Sequence, residues 1–129
     1  MLEQHYLTSL FEPKSVAVIG ASERENSVGS IIFKNILDAG YKGRLYAINP
    51  KHETIHGVQA HASIEEIGAR VELAVICTRP QTVPAIVEQC GRSGIKNVIV
   101  ITAGFAEAGH SGAALERKML EIARSYNVR

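Results

Sequence analysis

The chain has 129 residues, 46% of them hydrophobic, with 14 basic against 13 acidic side chains and a formal net charge of +1. That length suits a single compact domain able to bury a core. The near balance of charge excludes a general electrostatic pull toward nucleic acid or an anionic membrane, so any anion binding has to be local.

Cys77 and Cys90 stand in apolar segments without Cys-x-x-Cys spacing. A pair this sparse fits a reduced, cytoplasmic protein better than a disulfide scaffold. Residues 1–20 carry Glu3 and Glu12 and no long apolar run, and nowhere do about 18 consecutive apolar residues occur. The expectation is a soluble cytoplasmic domain with neither membrane nor nucleic acid as partner.

In chain order, the first predicted element is a strand from Val16 to Ile19, which turns through Gly20-Ala21-Ser22. A helix follows over about 27–39: Val28, Ile31, Ile32, Ile36 and Ala39 recur at helical spacing, Asn26 or Ser27 can cap it, and Gly40 can stop it. A second strand, Leu45 to Ile48, ends at Asn49-Pro50-Lys51, and His52, His56 and His61 then fall in what reads as one loop. Ser63 with Glu66 three residues on forms a capping box for a short helix from Ile64 to Ile67, ended by Gly68.

A third strand is predicted over Leu73 to Cys77. The next helix starts near Pro84, a residue suited to a first helical position, and runs through Ile86, Val87 and Cys90 to Gly91 or Gly94. The fourth strand is Val98 to Ile101. In the last helix Leu115, Met119, Ile122, Ala123 and Tyr126 form an apolar stripe opposite Glu116, Arg117, Lys118, Glu121 and Arg124, a charged face expected to be solvated. Val128-Arg129 reads as the start of a fifth strand, so the chain is expected to be an N-terminal fragment carrying one domain.

The strands are β-branched and almost continuously apolar, as in a parallel sheet covered on both faces, and parallel strands need crossover helices. Alternating strands and helices therefore predict an α/β, Rossmann-like doubly wound sheet with right-handed crossovers and a truncated final strand. Ligands of such sheets bind at the carboxyl ends of the strands. Here those ends are Gly20-Ala21-Ser22, Asn49-Pro50-Lys51, Cys77-Thr78-Arg79 and Thr102-Ala103-Gly104.

The first of these turns is a phosphate cradle. A helix N-terminus beginning near Val28 offers unpaired N–H groups and a positive dipole end, and glycine before it allows close approach. A dinucleotide fingerprint would be Gly-x-Gly-x-x-Gly, with an acid about 20 residues on for the ribose. Here serine replaces the second glycine, the loop to Gly29 is too long, and Lys51 follows the second strand where the acid belongs. Lysine suits a phosphorylated ribose, which NADP and coenzyme A (CoA) share. Ser22 and Arg24 can serve a diphosphate in either, and Arg79 is a further candidate phosphate clamp.

Several segments in this order resemble the CoA-binding domain of nucleoside-diphosphate-forming acyl-CoA synthetases, relatives of the succinyl-CoA synthetase α subunit. They are Leu10-Phe11, Pro13, Ser15 to Ser22, Gly40-Tyr41-x-Gly43, Ile48 to Lys51 and Ile101 to Glu107. His5-Tyr6-Leu7 ahead of them is similar to large bacterial members, some of which add a protein acetyltransferase domain. The resemblance implies that Ala21 and Ser22 lie against pantetheine or diphosphate, Lys51 near the adenosine phosphates and Thr78 near adenine or ribose. Thr102-Ala103-Gly104 would line the channel for the thiol.

It further implies an ADP-forming ligase, which makes acyl-CoA from an acid, ATP and CoA through an acyl phosphate and a phosphohistidine. ATP and Mg would be handled on domains absent from this chain, so no catalytic residue is expected here. The partners expected are CoA, the remaining domains of the synthetase and, from the prevalence of symmetric assemblies, a second copy in a homodimer. The expected CoA-contacting set is Gly20, Ala21, Ser22, Arg24, Val28, Asn49, Pro50, Lys51, Cys77, Thr78, Thr102, Ala103 and Gly104.

Two other readings stand beside this one, an NADP-binding oxidoreductase domain and a non-enzymatic CoA- or nucleotide-sensing module. His52, His56 and His61 match no zinc spacing and read as solvated loop histidines. Cys77, at a strand end, reads as a small buried residue; a nucleophile would need a base and oxyanion donors beside it.

Overall fold

The computed structural model describes residues 12–101 and 110–129. Its elements are β1 (Ser15–Ile19), α1 (Val28–Asp38), β2 (Arg44–Ile48), β3 (Thr54–Ile55), β4 (Val58–His61), β5 (Leu73–Ile76), α2 (Val83–Arg92), β6 (Asn97–Val100) and α3 (His110–Ser125). Single 3-10 turns occupy Ile64–Glu66 and Pro80–Thr82. The six strands form one sheet in the order β3-β4-β2-β1-β5-β6, parallel except for β3, which runs antiparallel to β4.

Alternation along the central strands sends side chains to two cores. Val16, Val18, Ala47, Leu73 and Val75 face α1, whose Phe33 is wholly buried. Ala17, Ile19, Ile48, Ala74 and Ile76 face α2 and α3, meeting Val83, Val87, Cys90, Met119 and Ile122. Each fully buried Ile, Val or Phe contributes about 1.5–3 kcal/mol relative to exposure, which is why these near-continuous apolar runs become central strands.

The four predicted strands, the helix over 27–39 and the apolar stripe of the last helix are present within a residue or two of their expected limits. Ser27 caps α1 by accepting from the Ser30 N–H at 3.2 Å. The capping box before the first 3-10 turn differs from expectation. Ser63 makes no side-chain cap, and Glu66 reaches past it to accept from the Ala62 N–H at 3.1 Å.

The larger correction concerns the histidine loop. Residues 54–61 form a hairpin in which Ile55 pairs with Val58, leaving His56-Gly57 as a two-residue turn with φ of 47° and 81°. Two positive φ values are the mark of a type I′ turn. His61 lies on β4, its ring edge-on to Tyr46, and His56 packs onto α1, so neither is a free loop side chain.

At the other side of the sheet, Arg129 donates its N–H to the Lys96 carbonyl and accepts from Val98 N–H, both at 2.6 Å. These are the bonds of a parallel neighbour to β6, in keeping with the strand expected at Val128-Arg129.

Candidate functional site

Main-chain bonds align the carboxyl ends of the strands. Asn49 N–H donates to the His61 carbonyl, Gly20 N–H to Ile48, Cys77 N–H to Ile19 and Ile101 N–H to Ile76, at 2.8–3.1 Å. β1 has β2 on one side and β5 on the other, and their connections use opposite faces of the sheet. This is the topological switch point, where such sheets open a crevice. A cleft of about 310 Å³ lies there, lined by Gly20, Ser22, Arg24, Ser27, Val28, Gly29, Cys77, Thr78, Arg79, Pro80 and Ile101.

Gly20 holds φ at 92°, and a Cβ on it would press on the Cys77 carbonyl and the Thr78 methyl at 3.0 Å. The turn after it is knotted by its own side chains. Ser22 Oγ accepts from Arg24 N–H at 2.9 Å, and Ser27 Oγ donates to the Arg24 carbonyl at 2.8 Å. α1 then begins with two N–H groups, those of Val28 and Gly29, that find no partner among the described residues. Among the described residues no acid occupies the first turn of α1 and none lines the cleft, whereas Arg24 and Arg79 stand on its two rims. Unpaired N–H groups, a helix dipole and two guanidinium groups together suit a multiply charged phosphate ligand.

Opposite the turn, Thr78 Oγ1 and Thr82 Oγ1 are 2.7 Å apart, and Thr82 Oγ1 also lies 2.6 Å from the Arg79 carbonyl. Thr82 has one hydroxyl proton; given to the carbonyl, it leaves Thr78 as donor to Thr82. Burial pushes the Cys77 thiol up to about 11, so it stays protonated at neutral pH and is a poor nucleophile. Cys90, in the core under α2, is pushed up to about 12 by burial, and both thiols are free.

Of the expected site residues, Gly20, Ser22, Arg24, Val28, Cys77 and Thr78 come together in this cleft. Ala21 has no exposed surface, and its carbonyl accepts from Asn49 Nδ2 at 2.9 Å. Asn49 Oδ1 in turn accepts from Lys51 N–H at 2.8 Å, so Asn49 braces the turn from behind. Pro50 and Lys51 are exposed beyond the end of β2 and do not line the cleft. Thr102, Ala103 and Gly104 lie outside the described residues.

Sequence reasoning passed over Gly29. Its α-carbon sits so close to the Gly20 carbonyl that any Cβ would overlap the oxygen, and this approach brings the start of α1 to the end of β1. The signal was a second glycine at the first turn of the helix, the place for close helix–strand packing. A larger cavity, about 1020 Å³, opens by Glu12, Tyr41 and Arg44 and shares no residue with the cleft. Among the described residues no three His, Cys, Asp or Glu side chains converge as a metal site, and no helix is long and apolar enough to cross a membrane.

The family described as CoA binding domain matches residues 14–129. The ADP-forming acetate–CoA ligase I of Archaeoglobus fulgidus is 46% identical over 120 residues, covering 93% of this chain and 17% of that protein. The ADP-forming acetate–CoA ligase I α subunit of Pyrococcus furiosus is 40% identical over 127 residues, covering 95% and 28%. The solved acetyl-coenzyme A synthetase 1 of Ca. Korarchaeum cryptofilum, in complex with phosphate and ADP, superposes with a TM-score of 0.89 at 36% identity, over 95% of this chain and 26% of that one. The chain thus spans well under a third of the length of these relatives. A Chromobacterium dehydrogenase in complex with NADH, 12% identical at a TM-score of 0.62, shares the fold alone.

Proposed function

The chain belongs to the CoA-binding domain family, and from that premise we propose that its switch-point cleft seats the diphosphate of CoA for an ADP-forming acyl-CoA ligase. The carrying observation is the cleft lining: Arg24 and Arg79 with, among the described residues, unpaired Val28 and Gly29 N–H groups and no acid. An NADP-dependent oxidoreductase is not favoured, since the family and the relatives at 40–46% identity are CoA proteins.

CoA is a substrate here, and this chain's contribution is binding and orientation. The N–H pair and the arginines hold the diphosphate, and Ser22 and Thr78 offer hydroxyls at the two sides of the seat. Lys51, exposed past the end of β2, serves the 3′-phosphate of the ribose, supported by its place at the strand end where a ribose lies in this fold. From the seat the pantetheine arm leads toward Thr102-Ala103-Gly104. With the diphosphate fixed, the thiol is delivered along one path, which supplies the proximity that acyl transfer requires.

The relatives named as ADP-forming acetate–CoA ligases support a reaction in which an acid, ATP and CoA give acyl-CoA, ADP and phosphate, and in this reading ATP and Mg are bound by parts of the protein outside residues 1–129. Cys77, protonated and a poor nucleophile, is in keeping with that division of labour. Two free thiols support a cytoplasmic setting.

Calorimetry with CoA, dephospho-CoA, NADP and NAD tests the proposal. Binding of CoA ahead of NADP is expected. Preference for NADP would overturn the reading, and equal affinity for CoA and dephospho-CoA would remove the role given to Lys51.

A further inference from the structure

His56 belongs to no part of the cleft, yet it touches both elements that build it. Its main-chain N–H donates to Glu23 Oε1 at 2.6 Å. Its ring Nε2 lies 3.1 Å from Ser30 Oγ, and the ring stacks on Phe33 with centroids 6.4 Å apart and planes 19° from parallel. Glu23 is the middle of the phosphate turn. Ser30, buried, follows Gly29 in the first turn of α1. One residue of the β3–β4 hairpin therefore grips the loop and the helix start that jointly present the unpaired N–H groups.

The grip on Glu23 also has an electrostatic consequence. Ser22 and Arg24 line the cleft, while Glu23 between them does not. A carboxylate turned into the seat would oppose a diphosphate. The His56 N–H bond holds that carboxylate on the hairpin side, so that Arg24 and Arg79 are the charged side chains on the seat among the described residues.

Resting on the CoA reading, we propose that His56 is a positioning residue for the CoA diphosphate: its main chain withdraws Glu23 and its ring fixes the first turn of α1 through Ser30. The occupant of position 56 thereby sets how well ordered the phosphate seat is before CoA arrives.

The test measures CoA affinity by calorimetry, and melting temperature, for the wild-type protein and for His56→Asn, Ser30→Ala, their double variant, Glu23→Ala and Glu23→Gln. Asn-Gly is a preferred pair for a type I′ turn, so His56→Asn keeps the hairpin while removing the ring. About fivefold weaker CoA binding is expected from it, the worth of one neutral hydrogen bond, with the melting temperature held. Ser30→Ala gives a similar loss, and the double variant loses no more than either single one because both cut one link. Glu23→Ala weakens binding, and Glu23→Gln, which keeps an acceptor for the His56 N–H, restores it. Unchanged affinity in His56→Asn, additive losses in the double variant, or tighter binding by Glu23→Ala would overturn the inference while leaving the CoA reading intact. Failure of the wild-type protein to bind CoA would overturn both.

Discussion

Gly29 packs its α-carbon directly against the carbonyl oxygen of Gly20, and that contact is what joins the first turn of α1 to the end of β1. Alanine at 29 would gain about 1 kcal/mol in helix propensity but must push main chain away from main chain, since no flexible side chain is there to yield. Overpacking of this kind costs about 1–3 kcal/mol. Gly29→Ala is therefore expected to lower the melting temperature and to weaken CoA binding more than tenfold, read by calorimetry. A variant as stable as wild type, binding CoA normally, would show that the approach is dispensable.

Asn49 supplies a second, chemically different test of the same turn. Its amide donates to Ala21 and its oxygen accepts from Lys51. Asn49→Asp keeps the acceptor but sets a carboxylate oxygen against the Ala21 carbonyl, leaving two acceptors face to face. A loss of about 1–3 kcal/mol is expected, with CoA affinity falling and no NAD binding gained. NAD binding by this variant would mean that the acid alone decides the nucleotide.

Arg24 and Arg79 are exposed cations on the rims of the cleft. Replacing either by alanine should weaken CoA binding about tenfold, the low end for a hydrogen bond to a charged group. The difference from wild type should shrink at high salt, where exposed charges are screened. Equal affinities at low salt would remove the arginines from the seat.

Lys51→Ala separates the ends of the ligand. Affinity for CoA should fall about fivefold, the worth of an exposed ion pair of about 1 kcal/mol, while affinity for dephospho-CoA stays that of wild type. A parallel loss for both ligands would place the lysine elsewhere.

The two thiols make stability depend on alkaline pH. Burial raises Cys77 to about 11 and Cys90 to about 12, against about 8.5 for an unfolded thiol. The native state thus keeps protons that the unfolded chain releases, so their stabilisation is complete below about pH 8 and is lost as pH rises through the native values. Denaturant titrations at pH 8 and 10 should show the decline, and Cys90→Ala should make it shallower. An unchanged slope in that variant would assign the decline to other groups.

The central strands were legible because Ser15–Ile19 and Leu73–Ile76 are buried along their whole length, and Arg44–Ile48 and Asn97–Val100, though partly exposed, still carry the apolar runs Leu45–Ile48 and Val98–Val100. The hairpin was not. β3 has two residues and β4 four, with Thr54, Gln59 and His61 among them, and their turn is His56-Gly57 rather than the usual Asn-Gly. Histidine accepts a positive φ less readily than asparagine, and here that conformation is held by the Glu23, Ser30 and Phe33 contacts, which are more than twenty residues away in sequence. The site was half legible for the same reason. Gly20, Ser22 and Arg24 act near their own positions in the chain, whereas the bracing by Asn49 appears only when β2 is laid beside β1. Lys51, expected near the adenosine phosphates from its place after β2, lies past the rim of the cleft.

The sheet's two borders differ in what they can accept. On one, β3 is too short to template another strand, which protects that border from unwanted pairing. On the other, the Lys96 carbonyl and Val98 N–H are engaged by the main chain of Arg129. Growth of this sheet is thereby directed to one side, along β6. A probe peptide of strand-forming sequence added to the chain should find no foothold beside β3, and at β6 it would have to compete with residue 129 itself.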